Sequence, residues 1–121
     1  MRRLSLTFVV FCVGFAPGED VWPQFRGPLG SASNSDAKIP RKWDEKTIRW
    51  KYALPGSGIS SPVVWKEDVY VTAALPNEGT RLLLAIDAAT GKEKWRLSFP
   101  LAVHKKHQKN SFATATPAVD G

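Results

Sequence analysis

Residues 85–95 read AIDAATGKEKW, and this stretch predicts a β-hairpin. The flanking segments 81–87 and 93–99 are short apolar runs rich in β-branched or aromatic residues, which is typical of strands. Between them, Gly91 tolerates the positive φ that a tight connection often needs, and the side chains of Asp87 and Thr90 bond turn amides. We therefore expect two antiparallel strands joined by a turn at residues 88–92.

The same signals continue upstream of this hairpin. They predict further strands at residues 48–53, 61–65 and 69–74. Residues 66–68 form a short polar turn, and residues 76–79 form a second one. The last four of the five predicted strands, joined by three short turns, make an antiparallel meander, so the expected fold class is all-β.

Two short patterns recur along the chain in the same order. The segment that begins at Trp50 shares a Trp, a basic residue, a large apolar residue and a Pro with the segment that begins at Trp95, 45 positions later. Residues 60–64 align with residues 115–119 at a separation of 55, because the stretch 101–111 is longer than its counterpart. A period of about 45 residues that holds four strands is typical of propeller blades.

The hairpin also carries a family motif. The pattern Ala-x-Asp-x-x-Thr-Gly-x-x-x-Trp is matched by Ala85, Asp87, Thr90, Gly91 and Trp95. With this motif the chain resembles the pyrroloquinoline-quinone-like (PQQ-like) β-propeller repeat family. The opening residues 22–28 are similar to the start of secreted bacterial members, related to outer-membrane protein assembly factor B-like propellers.

The resemblance implies a specific architecture. It implies a partial β-propeller with one complete four-stranded antiparallel blade, flanked by strands of neighbouring blades and preceded by an extended arm. A Trp of the outer strand is expected to dock against the turn of a neighbouring blade, a structural role that Trp50 and Trp95 would share. Because propellers close with roughly four to eight blades, the chain is expected to be the N-terminal part of a larger propeller.

The first residues predict export. Arg2 and Arg3 precede an apolar run at residues 4–15, and small residues follow, as in a secretory signal peptide cut after Gly18. A retained membrane anchor is the alternative, but the run is short of the roughly 20 residues that a spanning helix needs. We therefore expect a signal peptide at 1–18, an extended arm at 19–47 and the repeat region at 48–121, in a periplasmic or extracellular protein without a stable membrane span in its mature chain.

Composition excludes several classes of protein. The chain of 121 residues is 43% hydrophobic and 23% charged, which is typical of a globular chain and not of a disordered, collagenous or coiled-coil one. Its single cysteine, Cys12, lies in the leader, so an internal disulfide and a multi-cysteine zinc site are both excluded. The net charge is +6. Much of the excess comes from Lys105, Lys106 and Lys109, and because no aromatic residues alternate with them we expect a solvated loop and no nucleic-acid partner.

No residue combination predicts catalysis. His104 and His107 are spaced i, i+3, but no third ligand lies nearby in sequence, so no metal site is expected. Asp44 and Asp87 are lone carboxylates, and no serine lies in a nucleophile elbow. Arg26 either contacts an anion or packs its stem beside an aromatic residue. The weaker candidates for ligand contact are Arg26, His104, Lys105, Lys106 and His107.

Two functions fit these observations. The preferred one is an exported, non-enzymatic propeller module that binds or scaffolds, with the remaining blades of the same propeller or a protein partner as its neighbour and without a cofactor. The alternative is the N-terminal part of a quinoprotein dehydrogenase, which by resemblance would hold PQQ and calcium. The adjacent cysteine pair of such enzymes is missing from this chain.

Overall fold

The structure is a computed structural model that describes residues 21–35 and 40–120. The predicted leader at 1–18 lies outside these residues. Within them the fold is all-β, an open five-stranded antiparallel sheet in the order β1-β2-β3-β4-β5. The strands are β1 (Val21–Trp22), β2 (Val63–Trp65), β3 (Asp68–Leu75), β4 (Thr80–Asp87) and β5 (Glu93–Pro100).

The predicted meander is present as β2 to β5, with strand ends within two residues of the expected ones. The strand predicted at 48–53, as a flanking strand of a neighbouring blade, is wrong, because the segment forms no strand in the structure. It lies over one face of the sheet instead. The free edge of β2 pairs with β1, in which Val21 lies opposite Trp65 and Trp22 opposite Val64. A short part of the predicted arm therefore belongs to the sheet.

Strands β3 and β4 form the centre of the sheet. Apolar residues occupy most positions of both, because each is flanked by a strand on both sides. We call face A the side that carries the buried cluster of Val71, Ala73, Leu82, Leu84 and Ile86. Trp50 and Tyr52 pack against this cluster from outside the meander.

The opposite side, face B, carries Tyr70, Thr72, Leu83, Trp95, Leu97 and Phe99, as the strand registers show. Its half over β3 is covered by residues 112–119. There, Ala74 packs with Leu101 and Ala113, and the Thr72 hydroxyl donates to the carbonyl oxygen of Ala115 at 3.2 Å. Its half over β5 is more open, because Leu97 is 50% exposed and Phe99 49%.

Strand β5 is an edge strand with a bulge. The register shifts between Ala85 and Ile86 of β4, so Trp95 lies opposite Ala85 and Glu93 opposite Ile86. Lys94 is the extra residue, and its Nζ lies 2.5 Å from Oδ1 of Asp68. A bulge of this kind bends an edge strand and redirects a side chain. Beyond Lys94, apolar side chains alternate with Arg96 and Ser98 up to the end of the strand.

Candidate functional site

The β4–β5 turn is held by one carboxylate. Oδ1 of Asp87 accepts hydrogen bonds from the backbone N–H groups of Ala89 (3.1 Å) and Thr90 (2.7 Å) and from the Thr90 hydroxyl (2.7 Å). These bonds favour the ionised carboxylate, so the side-chain and backbone bonds from Thr90 lower the pKa of Asp87. The carboxylate therefore serves the turn, and a second carboxylate is not part of this arrangement.

The ring of Trp50 lies against the same turn. Gly91 has φ +71°, and a Cβ added there would stand 2.6 Å from the Trp50 ring atoms Cγ and Cδ2. The Trp50 indole N–H also donates to the carbonyl oxygen of Ala88 at 2.9 Å. Two separate features therefore favour glycine at position 91: the backbone is left-handed, and the indole of Trp50 leaves no room for a Cβ.

Trp95 lies on the other face of the sheet. Its ring centroid is 5.8 Å from that of Tyr70, and the side chain is 40% exposed. Ala85, opposite it on β4, is fully buried. The two repeat-related tryptophans therefore have different surroundings, because Trp50 contacts a turn on face A and Trp95 contacts an aromatic ring on face B.

A charged cluster lies beside Trp50 on face A. Nε of Arg96 donates to Oε1 of Glu93 at 2.6 Å, and the Tyr52 hydroxyl donates to the other carboxylate oxygen. The bonds from Arg96, followed by the bond from Tyr52, lower the pKa of Glu93 to about 2. The same carboxylate raises the pKa of Tyr52. The sequence does not predict this cluster, because Tyr52 lies 41 residues before its partner Glu93.

The basic loop at 101–111 lies next to face B. His104 packs edge-on against Phe112 with centroids 5.4 Å apart, and Nζ of Lys106 lies 5.3 Å above the same ring. Lys105 is exposed, and Nδ1 of His107 accepts a hydrogen bond from the backbone N–H of Lys109 at 3.2 Å. The structure thus brings His104 and Lys106 together around one aromatic ring, while His107 bonds within its own turn.

Arg26 lies in a different part of the molecule, near β1. Its guanidinium carbon is 5.7 Å from the centre of the Phe25 ring. Its backbone has φ 64°, beside Gly27 at φ 74°. The contact with Phe25 is local, so Arg26 does not join the basic loop in a common site.

Two neighbouring cavities open beside the basic loop. The first, which we call the basic cavity, has a volume of about 270 Å³ and is lined by Arg81, His104, Lys106, Ser111 and Phe112, among others. The second, the apolar trough, has a volume of about 430 Å³ and runs along face B past Leu83, Phe99, Pro100 and Pro117. Arg81, Phe112 and Ala115 line both cavities, so the two lie side by side.

The sequence does not single out four of the residues that line these cavities, namely Arg81, Phe99, Phe112 and Pro117. Each looks like an ordinary strand or loop residue in the sequence. The only signal that could have pointed to the site is the run of basic residues without an acid at 104–109. Arg81 joins that run through the pairing of β4 with β5, which brings the start of one strand beside the end of the other.

A calcium or zinc site would need several ligand groups close together. Calcium takes six to eight oxygen ligands, and zinc takes four nitrogen or sulfur ligands. In the part of the chain that the structure describes, no group of three or more His, Cys, Asp or Glu side chains is placed to hold a metal ion. The described residues therefore supply no carboxylate cluster for the calcium that the dehydrogenase alternative implies.

The chain matches no protein-family profile, no curated protein and no solved structure. Among residues 21–35 and 40–120, no helix has the length and apolar character needed to cross a bilayer.

Proposed function

We propose that the chain is a non-enzymatic binding or scaffold module of an exported β-propeller protein, in which β2 to β5 act as one blade. The contact of Trp50 with the β4–β5 turn is the observation that carries the proposal. A segment outside the meander lies on face A, where the Trp50 indole N–H donates to the carbonyl oxygen of Ala88 and the ring packs against Gly91. This arrangement is what the blade motif implies for a tryptophan of one blade and the turn of the next.

The open half of face B supports a binding role. Trp95, Leu97 and Phe99 lie side by side on β5 and are each 40–50% exposed. Among the described residues no strand pairs with the outer edge of β5. An unpaired edge with an apolar side attracts a further strand or a partner. The remaining blades of the same propeller or one protein partner would supply that cover over Trp95 and Leu97.

Photo-crosslinking in cells that make the protein tests this proposal. A photoreactive residue replaces Leu97 in one variant and Leu29, which is 88% exposed and outside the sheet, in the control. We expect the Leu97 position to crosslink to one defined peptide, from the same polypeptide or from one exported partner, and the Leu29 position to give none. Equal or diffuse crosslinking from both positions would contradict a binding surface at β5.

The dehydrogenase alternative is separated by adding its cofactors. The purified protein is incubated with PQQ and Ca²⁺, desalted, and assayed for retained quinone absorbance and for dye reduction with primary alcohols and sugars. We expect neither retained quinone nor dye reduction. Retention of one quinone per chain together with turnover would overturn the non-enzymatic proposal.

A further inference from the structure

The basic cavity and the apolar trough lie side by side, and together they make a depression whose two ends differ in chemistry. We propose that this depression binds a small amphipathic carboxylate, with its carboxylate between Arg81 and Lys106 and its hydrocarbon part along the trough. The inference deepens the proposed binding function by naming a ligand class. It rests on the proposed function only in that both make the chain a binding module.

The basic end carries two cationic side chains, because Arg81 and Lys106 line the cavity. Among residues 21–35 and 40–120, no Asp or Glu lines either cavity. None of the ion pairs in the described part of the chain involves Arg81. A guanidinium matches the two oxygens of a carboxylate with two parallel N–H donors, so Arg81 suits this group in particular.

The donors around Arg81 are already oriented. Nζ of Lys106 donates one hydrogen bond to the carbonyl oxygen of Asn110 at 2.5 Å, and this bond holds the ammonium beside the Phe112 ring. Two further N–H groups of the ammonium can donate to a ligand. The Ser111 hydroxyl oxygen accepts from the backbone N–H of Ala113 at 2.9 Å. Its own O–H is therefore left to donate to an anion in the cavity.

The other end favours hydrocarbon over a second charge. Most of the surface that lines the trough is apolar, and Leu83, Phe99, Pro100 and Pro117 are among the residues that contribute it. A volume of about 430 Å³ lies within the usual range for small-molecule sites. Removing such surfaces from water is favourable in proportion to the apolar area, so an occupant with a hydrocarbon part gains from the trough.

These two ends exclude simpler occupants. Inorganic phosphate would pair with the cations of Arg81 and Lys106, but the apolar surface of the trough would stay exposed to water. An uncharged alkane or alcohol would fill the trough and leave the cations without a counter-ion. Only a molecule that joins one anionic group to an apolar chain or ring uses both ends, and a fatty acid of medium length is the simplest such molecule.

Calorimetric titration of the purified protein tests the inference, with decanoate, decanol and inorganic phosphate as probes. We expect decanoate to bind with one site per chain, and decanol and phosphate each to bind at least about tenfold more weakly. Arg81→Gln should lower the decanoate affinity about tenfold and leave decanol unchanged. Phe99→Ala should weaken both decanoate and decanol. Arg41→Gln, an exposed basic residue that lines neither cavity, is the matched control and should change nothing.

Three results would overturn the inference: equal affinity for decanoate and decanol, phosphate binding as tight as decanoate binding, or an affinity that is unchanged in Arg81→Gln. Tighter binding of an acidic peptide than of decanoate would assign the depression to a protein partner instead. Arg81 and Phe99 are exposed, so both variants are expected to fold, and their unfolding midpoints check this. Failure of decanoate to bind leaves the crosslinking and quinone results intact, so the two proposals fail separately.

Discussion

The two faces of the sheet are covered in different ways. Face A is covered by Trp50 and Tyr52, whose polar atoms bond to the β4–β5 turn and to Glu93 across 38 and 41 residues of sequence. Face B is covered over β3 by a segment of small residues that bonds through its backbone, and it is open over β5. The comparison teaches that large aromatic anchors stabilise one side of this sheet, while the other side keeps an apolar surface available.

The largest effect is expected on removal of the anchor of face A. Trp50→Ala deletes the ring that packs on the face A cluster and the bond to Ala88. We expect it to lower the free energy of unfolding by about 3 kcal/mol, the low end for a large aromatic truncation, since Trp50 is only partly buried. Urea unfolding measures the change. The control is Trp43→Ala, because Trp43 is 72% exposed and bonds only locally to Pro40. Equal losses in the two variants would contradict a special role for Trp50.

A smaller effect is expected from the other side of the same contact. Gly91→Ala and Gly30→Ala both force an alanine into the left-handed region, at φ +71° and +66°. Only at Gly91 would the new Cβ meet the Trp50 ring, whereas nothing lies within 4 Å of the position at Gly30. We expect Gly91→Ala to cost about 2 kcal/mol more than Gly30→Ala in urea unfolding, the usual size of an overpacking effect. If the two variants lose the same stability, the indole does not press on the turn.

The hairpin is the part of the fold that sequence predicts best. Asp87, Thr90 and Gly91 act locally, so their spacing alone indicates a turn, and the apolar runs on either side indicate the strands. Residues 48–53 were predicted as a strand because they are rich in the same residue types. In the structure they form no strand and instead pack Trp50 and Tyr52 against the face A cluster, contacts that are distant in sequence.

The candidate site was harder to predict for a related reason. The basic loop is visible in the sequence, but its cavity exists only because β4 and β5 pair with Arg81 opposite Phe99. The trough likewise needs residues 112–117 to cross face B. Register and the path of a covering segment are long-range properties, and no local pattern in this chain specifies them. The motif tryptophans show the same limit, since the pattern is shared and the two side chains lie on opposite faces.

The smallest expected effect on stability concerns the cluster of Tyr52, Glu93 and Arg96 on face A, and it appears only at acidic pH. The pKa of Glu93 is lowered from 4.5 to about 2, chiefly by its bonds from Arg96 and then by the bond from Tyr52. The unfolded chain therefore takes up this proton at a higher pH than the folded one. The stabilisation by Glu93 is fully present above about pH 4.5 and is lost as the pH falls towards 2. The pKa of Asp87 is lowered too and acts in the same direction.

Urea midpoints measured between pH 6 and pH 2, on the order of the range that these carboxylates span, test this expectation. The midpoint of the natural protein should fall as the pH drops, and in Glu93→Gln it should start lower and fall less steeply, because only Asp87 and other carboxylates then contribute. Glu45→Gln is the matched control, since the carboxylate of Glu45 is exposed and its one ion pair, with Lys51, is exposed as well. Its profile should follow that of the natural protein. If the urea midpoint of Glu93→Gln depends on pH as steeply as that of the natural protein, the Tyr52–Glu93–Arg96 contacts do not stabilise the cover of face A in solution. The two faces would then differ less than their geometry indicates.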